Sequence, residues 1–297
     1  MTRWHAAVCA ALLAGGAGIA LAAGIVRAPP SATVSVPALS TASAPEPWSG
    51  DTIPVPETTA DCPVFDIMEP ARVNTHELFF ARAAYTSGFG GGWGMNRRGS
   101  WAIDFPKSDR QFLFVLSRLL NVHAFPCENP VRLDDPELHR FPYLYMVEPG
   151  RTMSLSDAEA TGLRNYLLKG GFLHIDDFWG SQEWAHFERE LRRVFPDRPI
   201  VEIPMDHPIF HVGFKVEEVL TVPSIGNARR GVYHERDGYI PYVLGVFDDR
   251  DRLMVVITWN SDLGDAWEWA EQPDYPRDRS DYAFKLGVNF ILYAMTH

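Results

Sequence analysis

Lys169-Gly170-Gly171-Phe172-Leu173-His174-Ile175-Asp176-Asp177-Phe178-Trp179-Gly180-Ser181 reads as a helix end, a buried strand, and a loop of two acids and an indole that opens the next helix. Glycine tolerates the left-handed backbone that closes a helix, which gives Gly170-Gly171 its meaning. In open α/β sheets ligands bind just beyond the carboxyl ends of the strands, and Asp176 and Asp177 fall there.

Upstream of this stretch, Ser156 and Glu159 have capping-box spacing, and Leu163, Tyr166 and Leu167 line the helix they start. Pro142 to Val147 is apolar throughout, as parallel core strands are. Earlier, Ser108 with Gln111 predicts another capped helix, lined by Phe112, Val115, Leu116 and Leu119. Pro126 and Pro130 punctuate the loop between these two elements. Glu77 to Tyr85 is expected to be the first strand, and the Gly88 to Gly94 loop follows it. That loop has neither GxGxxG nor GK[ST] spacing, so it reads as a lid or ligand-approach loop rather than a phosphate cradle.

Downstream, Ser181 is the expected cap of a helix carrying Trp184, Phe187, Leu191 and Val194. A strand at 199–203 leads to His207-Pro208-Ile209-Phe210, and residues 226–238 read as a polar surface loop. Tyr242 to Phe247 and Arg252 to Trp259 flank an acidic turn, Asp248 to Asp251, and predict a β-hairpin. Asn260 to Trp269 reads as a loop rich in acids and Trp, and Ser280 as the start of a closing helix. Strand–helix alternation followed by a hairpin argues an α/β domain over 76–297: a mostly parallel sheet covered by helices on both faces.

The amino-terminal part differs in kind. Residues 1–25 combine Arg3 with a long Ala/Gly/Leu run and small residues at Ala20-Leu21-Ala22, the pattern of a secretory signal peptide. An uncleaved membrane anchor is the competing reading. Residues 26–75 are rich in Pro, Ala, Ser and Thr without periodicity and read as a tether. Both readings make the body exported, either periplasmic or held at the inner membrane facing the periplasm. Cys62 and Cys127 are candidates for a disulfide in such a compartment, with two free thiols as the alternative. A net charge of −11 repels phosphate backbones and argues against a nucleic-acid partner.

The Phe79-Phe80-Ala81-Arg82, Trp101 to Pro106, Gly170 to Gly180, His207 to Phe210 and Asn260-Ser261-Asp262 segments, with Trp267-Glu268-Trp269, resemble the bacterial domain of unknown function 4159 family across the body. The resemblance implies a flavodoxin-like, three-layer fold related to class I glutamine amidotransferases and ThuA-like proteins, and it brings no activity with it. The amidotransferase Cys is missing, because neither Cys62 nor Cys127 stands in a G-x-C-x-G elbow. Ser181 lacks the second glycine of G-x-S-x-G, which Glu183 replaces.

The candidate ligand-binding residues are those expected at strand ends or in adjoining loops: Arg82, Tyr85, Trp93, Asp104, Asp176, Asp177, Trp179, His207, Asn260 and Asp262. One reading is a small polar ligand, a saccharide or cell-envelope fragment, held by carboxylates against indoles. A second is a metal-assisted hydrolase using Asp176, Asp177 and His207, either with His207 as base or with Asp176, Asp177, His207 and Asp262 as ligands of a divalent ion that activates a water. A third is an interaction module for an envelope protein. Against catalysis stands a structural reading, in which Asp176 or Asp177 caps a helix or pairs with Arg82.

Overall fold

The computed structural model describes residues 78–88, 100–120 and 122–297. The expected leader and tether, Trp93 and Cys62 lie outside these residues. Cys127 is disulfide-bonded.

Among the described residues, the strands β1 (Ala81–Ala84), β2 (Asn129–Arg132), β3 (Tyr143–Val147), β4 (Phe172–Asp176), β5 (Val201–Glu202), β6 (Tyr242–Phe247) and β7 (Leu253–Trp259) form one sheet. Its order is β2-β1-β3-β4-β7-β6-β5. The first five in that order run parallel, while β6 is antiparallel to β7 and β5 to β6. Counting β7 as the fifth parallel strand, the winding is 2-1-3-4-5, the flavodoxin-like order. The helices are α1 (Lys107–Leu119), α2 (Pro149–Thr152), α3 (Asp157–Leu168), α4 (Gly180–Val194), α5 (Ile225–Ala228), α6 (Leu263–Glu268) and α7 (Arg277–Thr296).

Side-chain alternation along the strands produces the layers. Tyr143, Tyr145 and Val147 of β3 join one core with Phe112 of α1, Trp267 of α6 and Phe284 of α7. Leu144 and Met146 join the other with Leu163 of α3 and Phe187 and Leu191 of α4. A fully buried aliphatic or aromatic side chain contributes about 1.5–3 kcal/mol, so two such cores hold the sheet from both faces. His174, on β4, is a satisfied core histidine bonded to Tyr143 Oη (2.8 Å) and Thr258 Oγ1 (3.2 Å). Burial pushes its pKa down to about 3, so the ring is neutral.

Several local expectations hold. Ser156 and Glu159 form the capping box of α3, and Gly170 closes that helix with φ 110°. Others need correction. The first strand is shorter than Glu77 to Tyr85, beginning at Ala81 after an isolated bridge from Leu78 to Ala124. Ser108 does not cap α1, which starts at Lys107, because its hydroxyl accepts from Arg82 instead. Ser181 lies inside α4, and Asp237 accepts both its N–H and its hydroxyl. Pro130 marks a strand rather than a loop, since β2 is an edge strand and an edge tolerates a missing donor. The acid-rich 260–269 stretch contains α6, and the closing helix begins at Arg277 rather than Ser280. Among the described residues no helix is long and apolar enough to cross a membrane.

Candidate functional site

The carboxyl ends of β3, β4 and β7 meet at one rim, where backbone bonds lash the turns that leave them. Glu148 N–H donates to Asp176 O (3.0 Å), Asp177 N–H to Ser261 O (3.1 Å), and Asn260 N–H to Phe178 O (3.1 Å). Glu148, Asp177 and Asn260, the residues leaving these strands, are left-handed at φ 49°, 53° and 62°. Asp104, from the loop before α1, is left-handed too at φ 59°. Asp and Asn adopt this conformation more readily than Glu. Strain of this kind, about 1–3 kcal/mol per residue, gathers where surrounding structure over-determines it.

Asp176 lies beneath the rim. Tyr145 Oη (2.8 Å), Leu263 N–H (2.9 Å) and Gly264 N–H (3.1 Å) donate to its Oδ2, and Thr258 Oγ1 donates to its Oδ1 (2.6 Å). It therefore pins the start of α6 to the end of β4, which is the expected capping role, on α6 rather than α4. Burial raises its pKa to about 6, against the pull of these donors.

Above it is a cavity of about 160 Å³ lined by Asp104, Glu148, Asp177, Glu183, Glu235, Asp262 and Asp265, with Arg151, Arg236, Ile103, Trp179 and Ser224. That is below the usual size of a drug-like ligand site and suits a small group. Arg151 pairs with Glu148 (2.6 Å), and Arg236 pairs with Glu183. Among the described residues no ion pair involves Asp104, Asp177, Asp262 or Asp265. Asp262 Oδ1 caps α6 by accepting Asp265 N–H (2.8 Å), and Asp265 accepts from Ile225 N–H (2.6 Å) and Trp269 Nε1 (3.0 Å). Asp177 Oδ1 accepts from Trp179 Nε1 (3.0 Å). Asp104 Oδ2 is buried with no hydrogen-bond partner.

Burial and mutual repulsion act together on these acids. Asp104 is held well above the usual carboxylate range by burial, then by Asp265 and Glu268. Asp177 rises through burial, then Glu148 and Asp104. Asp262 rises through burial, then Asp177 and Asp265. Glu148 is pushed up to about 7 by burial, even with Arg151 beside it.

Of the residues expected from sequence, Asp104, Asp177, Trp179 and Asp262 come together in the cavity. Tyr85 stands behind it, donating to Val147 O (2.8 Å) and Glu148 O (3.0 Å). Asn260 is occupied by Gly180 N–H (2.8 Å) and Ile240 O (2.7 Å). Arg82 is not a ligand group: it is wholly buried and forks onto Asp109, not onto Asp176 or Asp177. Burial disfavours its charge, but Asp109 more than offsets this and holds the guanidinium above its ordinary value.

His207 is not at the rim. It packs between Phe247 and Tyr293, whose hydroxyl accepts Leu253 N–H, so it sits at the amino end of β7. The length of β7 separates it from the carboxylates at that strand's far end, and the ligand set Asp176, Asp177, His207 and Asp262 does not assemble.

The sequence reading missed Glu148, Arg151, Glu183, Glu235, Arg236 and Asp265. Glu148 directly follows a strand that was legible, so the strand-end rule would have found it. Glu235 and Arg236 come from an irregular loop that shows no pattern.

No curated protein matches the chain. The family model described as Domain of unknown function (DUF4159) matches residues 80–295, which takes in the strand ends and every carboxylate of the cavity. The chain therefore belongs to the DUF4159 family.

Proposed function

We propose that this chain is an exported binding domain whose rim cavity takes a small polar ligand carrying positive charge. The observation that supports it most is the excess of acid: Asp104, Asp177, Asp262 and Asp265 line one cavity without an ion-pair partner, and the two arginines that line it, Arg151 and Arg236, are paired with Glu148 and Glu183. Oxygens of Asp104, Asp262 and Asp265 lie within 4.8 Å of one another, and two ionised carboxylates that close repel by about 3.5 kcal/mol or more at an effective dielectric of about 20. A site built this way takes up protons or a cation. Among the described residues the saccharide form of the reading finds less support, since Trp101, Trp179 and Trp267 are buried and Lys107 lies over the Trp269 ring at 4.0 Å.

The test is calorimetry and thermal shift on the full-length chain with ethanolamine, putrescine, divalent cations and neutral sugars. A cationic ligand at about a hundred times its Kd stabilises by about 2.7 kcal/mol. That corresponds to a rise in Tm of roughly 5–10 °C, and neutral sugars should give none. Asp177→Asn should weaken the organic cations at least tenfold. Stabilisation by neutral sugars with no response to any cation would overturn the reading.

A metal-assisted hydrolase is the second reading, with Glu148 in place of His207 as base. Two observations favour it. Asp177 occupies a left-handed turn straight after the central strand, as a nucleophile does in a strand–elbow–helix enzyme. Burial pushes Glu148 up to about 7, where general acid–base groups work well.

A further inference from the structure

We infer that Asp104, Asp262 and Asp265 form a binding site for one hard divalent cation; this rests on the cation-binding reading above and names its occupant. The three side chains converge from the loop before α1, the N-cap of α6 and the first turn of α6. One oxygen from each lies within 4.8 Å of the other two. Oxygens on one cation with metal–oxygen distances of about 2.1–2.6 Å lie about 3 Å apart when cis and up to about 5 Å when trans, so separations within 4.8 Å are compatible with a single ion.

Acids alone would not make a site. Asp104 Oδ2 supplies an independent reason: it is fully buried, has no donor, and lines the cavity. Buried polar atoms almost always find a partner, and one that does not is explained by an ion or water it would hold. The backbone leaves room for it. A Cβ on Gly264, between the ligands Asp262 and Asp265, would stand 2.7 Å from Asp104 Oδ2. A side chain there would push Asp104 out.

The surroundings hold the ligands in place, as supporting groups do around metals. Arg82 Nη1 donates to Ile103 O (3.2 Å), and Ser108 N–H donates to Asp104 O (2.9 Å). Asp262 N–H donates to Val222 O (3.0 Å), and Ile225 N–H donates to Asp265 Oδ2 (2.6 Å). Each carboxylate oxygen has two lone pairs, so one accepted hydrogen bond leaves it free to ligate. All three ligands are oxygen, which selects Mg, Ca or Mn over Zn.

The experiment is titration of the chelator-treated full-length chain with Ca²⁺, Mg²⁺ and Mn²⁺, by calorimetry and by loss of the free Mn²⁺ paramagnetic signal. One ion per chain is expected. Asp104→Asn and Asp262→Asn should each weaken it at least thirtyfold. Asn tolerates the left-handed backbone at 104 and keeps the helix cap at 262, so both variants should fold. Without metal, Asp104→Asn should melt higher than the parent, because a repelled acid is gone. Metal binding that survives both substitutions overturns the site. Ethanolamine or putrescine binding without any metal binding overturns this inference alone, and no cation binding of any kind overturns the parent reading as well.

Discussion

Replacing Asp109 with Ala should be among the most damaging single changes in this chain. Arg82 and Asp109 are both wholly inaccessible. The guanidinium donates through Nε to Asp109 Oδ2 (3.2 Å) and through Nη2 to Asp109 Oδ1 and Ser108 Oγ (2.9 Å). Nη1 reaches Trp101 O (3.4 Å) and Ile103 O (3.2 Å), and the group lies 4.7 Å from the Tyr145 ring centroid. In Asp109→Ala those neutral acceptors persist but the counter-charge is lost. Breaking a buried pair this way costs about 3–5 kcal/mol, and at roughly 2–4 °C per kcal/mol Tm should fall by about 10 °C.

The double variant Arg82→Met/Asp109→Leu separates charge from packing. With no orphaned charge it should recover most of that loss, as buried pairs replaced by apolar residues commonly do. Its site should still suffer, because the bond from Arg82 Nη1 to Ile103 O, the residue next to Asp104, is lost. The assay is a double-mutant cycle by urea denaturation, with cation binding measured on each chain. A cost below about 1 kcal/mol for Asp109→Ala, or a double variant worse than the two singles summed, would refute the reasoning.

Two further outcomes are expected. His174 has its pKa depressed to about 3 in the fold from an ordinary 6.5, so only the unfolded chain takes up its proton between those values. Stability from this group is therefore complete above pH 6.5 and is lost as pH falls, at about 1.4 kcal/mol per unit. The raised rim carboxylates act in the opposite sense, gaining protons first in the folded chain. Comparison with His174→Gln isolates the histidine: between pH 7 and 4.5 the parent should lose about 2.5 kcal/mol more than the variant, and parallel profiles would contradict the assignment. Gly162→Ala places a Cβ 2.1 Å from Leu133 O, a backbone atom that cannot rotate away. It should destabilise by about 1–3 kcal/mol despite the better helix propensity of Ala, and a raised Tm would mean that α3 packs differently.

What could be read from sequence followed local rules. The Ser156/Glu159 box, the Gly170 helix end, the apolar β3, the hairpin and the acids after β4 each depend on residues a few positions apart. Together they imply a wound α/β sheet with its useful edge at the carboxyl ends. Asp104, Asp177, Trp179 and Asp262 were within reach because each lies in a loop that such a sheet gathers to that edge.

Tertiary structure decided the rest, because partners were chosen from far along the chain. Arg82 had several acids to choose from, and only the packing of α1 against β1 delivered it to Asp109. Asp176 could have faced a ligand, but the pleat turned it beneath the rim, where α6 supplies two N–H donors. His207 follows a strand, yet that strand is a two-residue antiparallel edge, and the chain after it folds back so that His207 packs on Phe247 and Tyr293, away from the carboxylates. Glu235 and Arg236 reach the cavity through an irregular loop with no period to read. Local propensity is written in neighbouring residues; the company each buried charge keeps is settled only when the layers close.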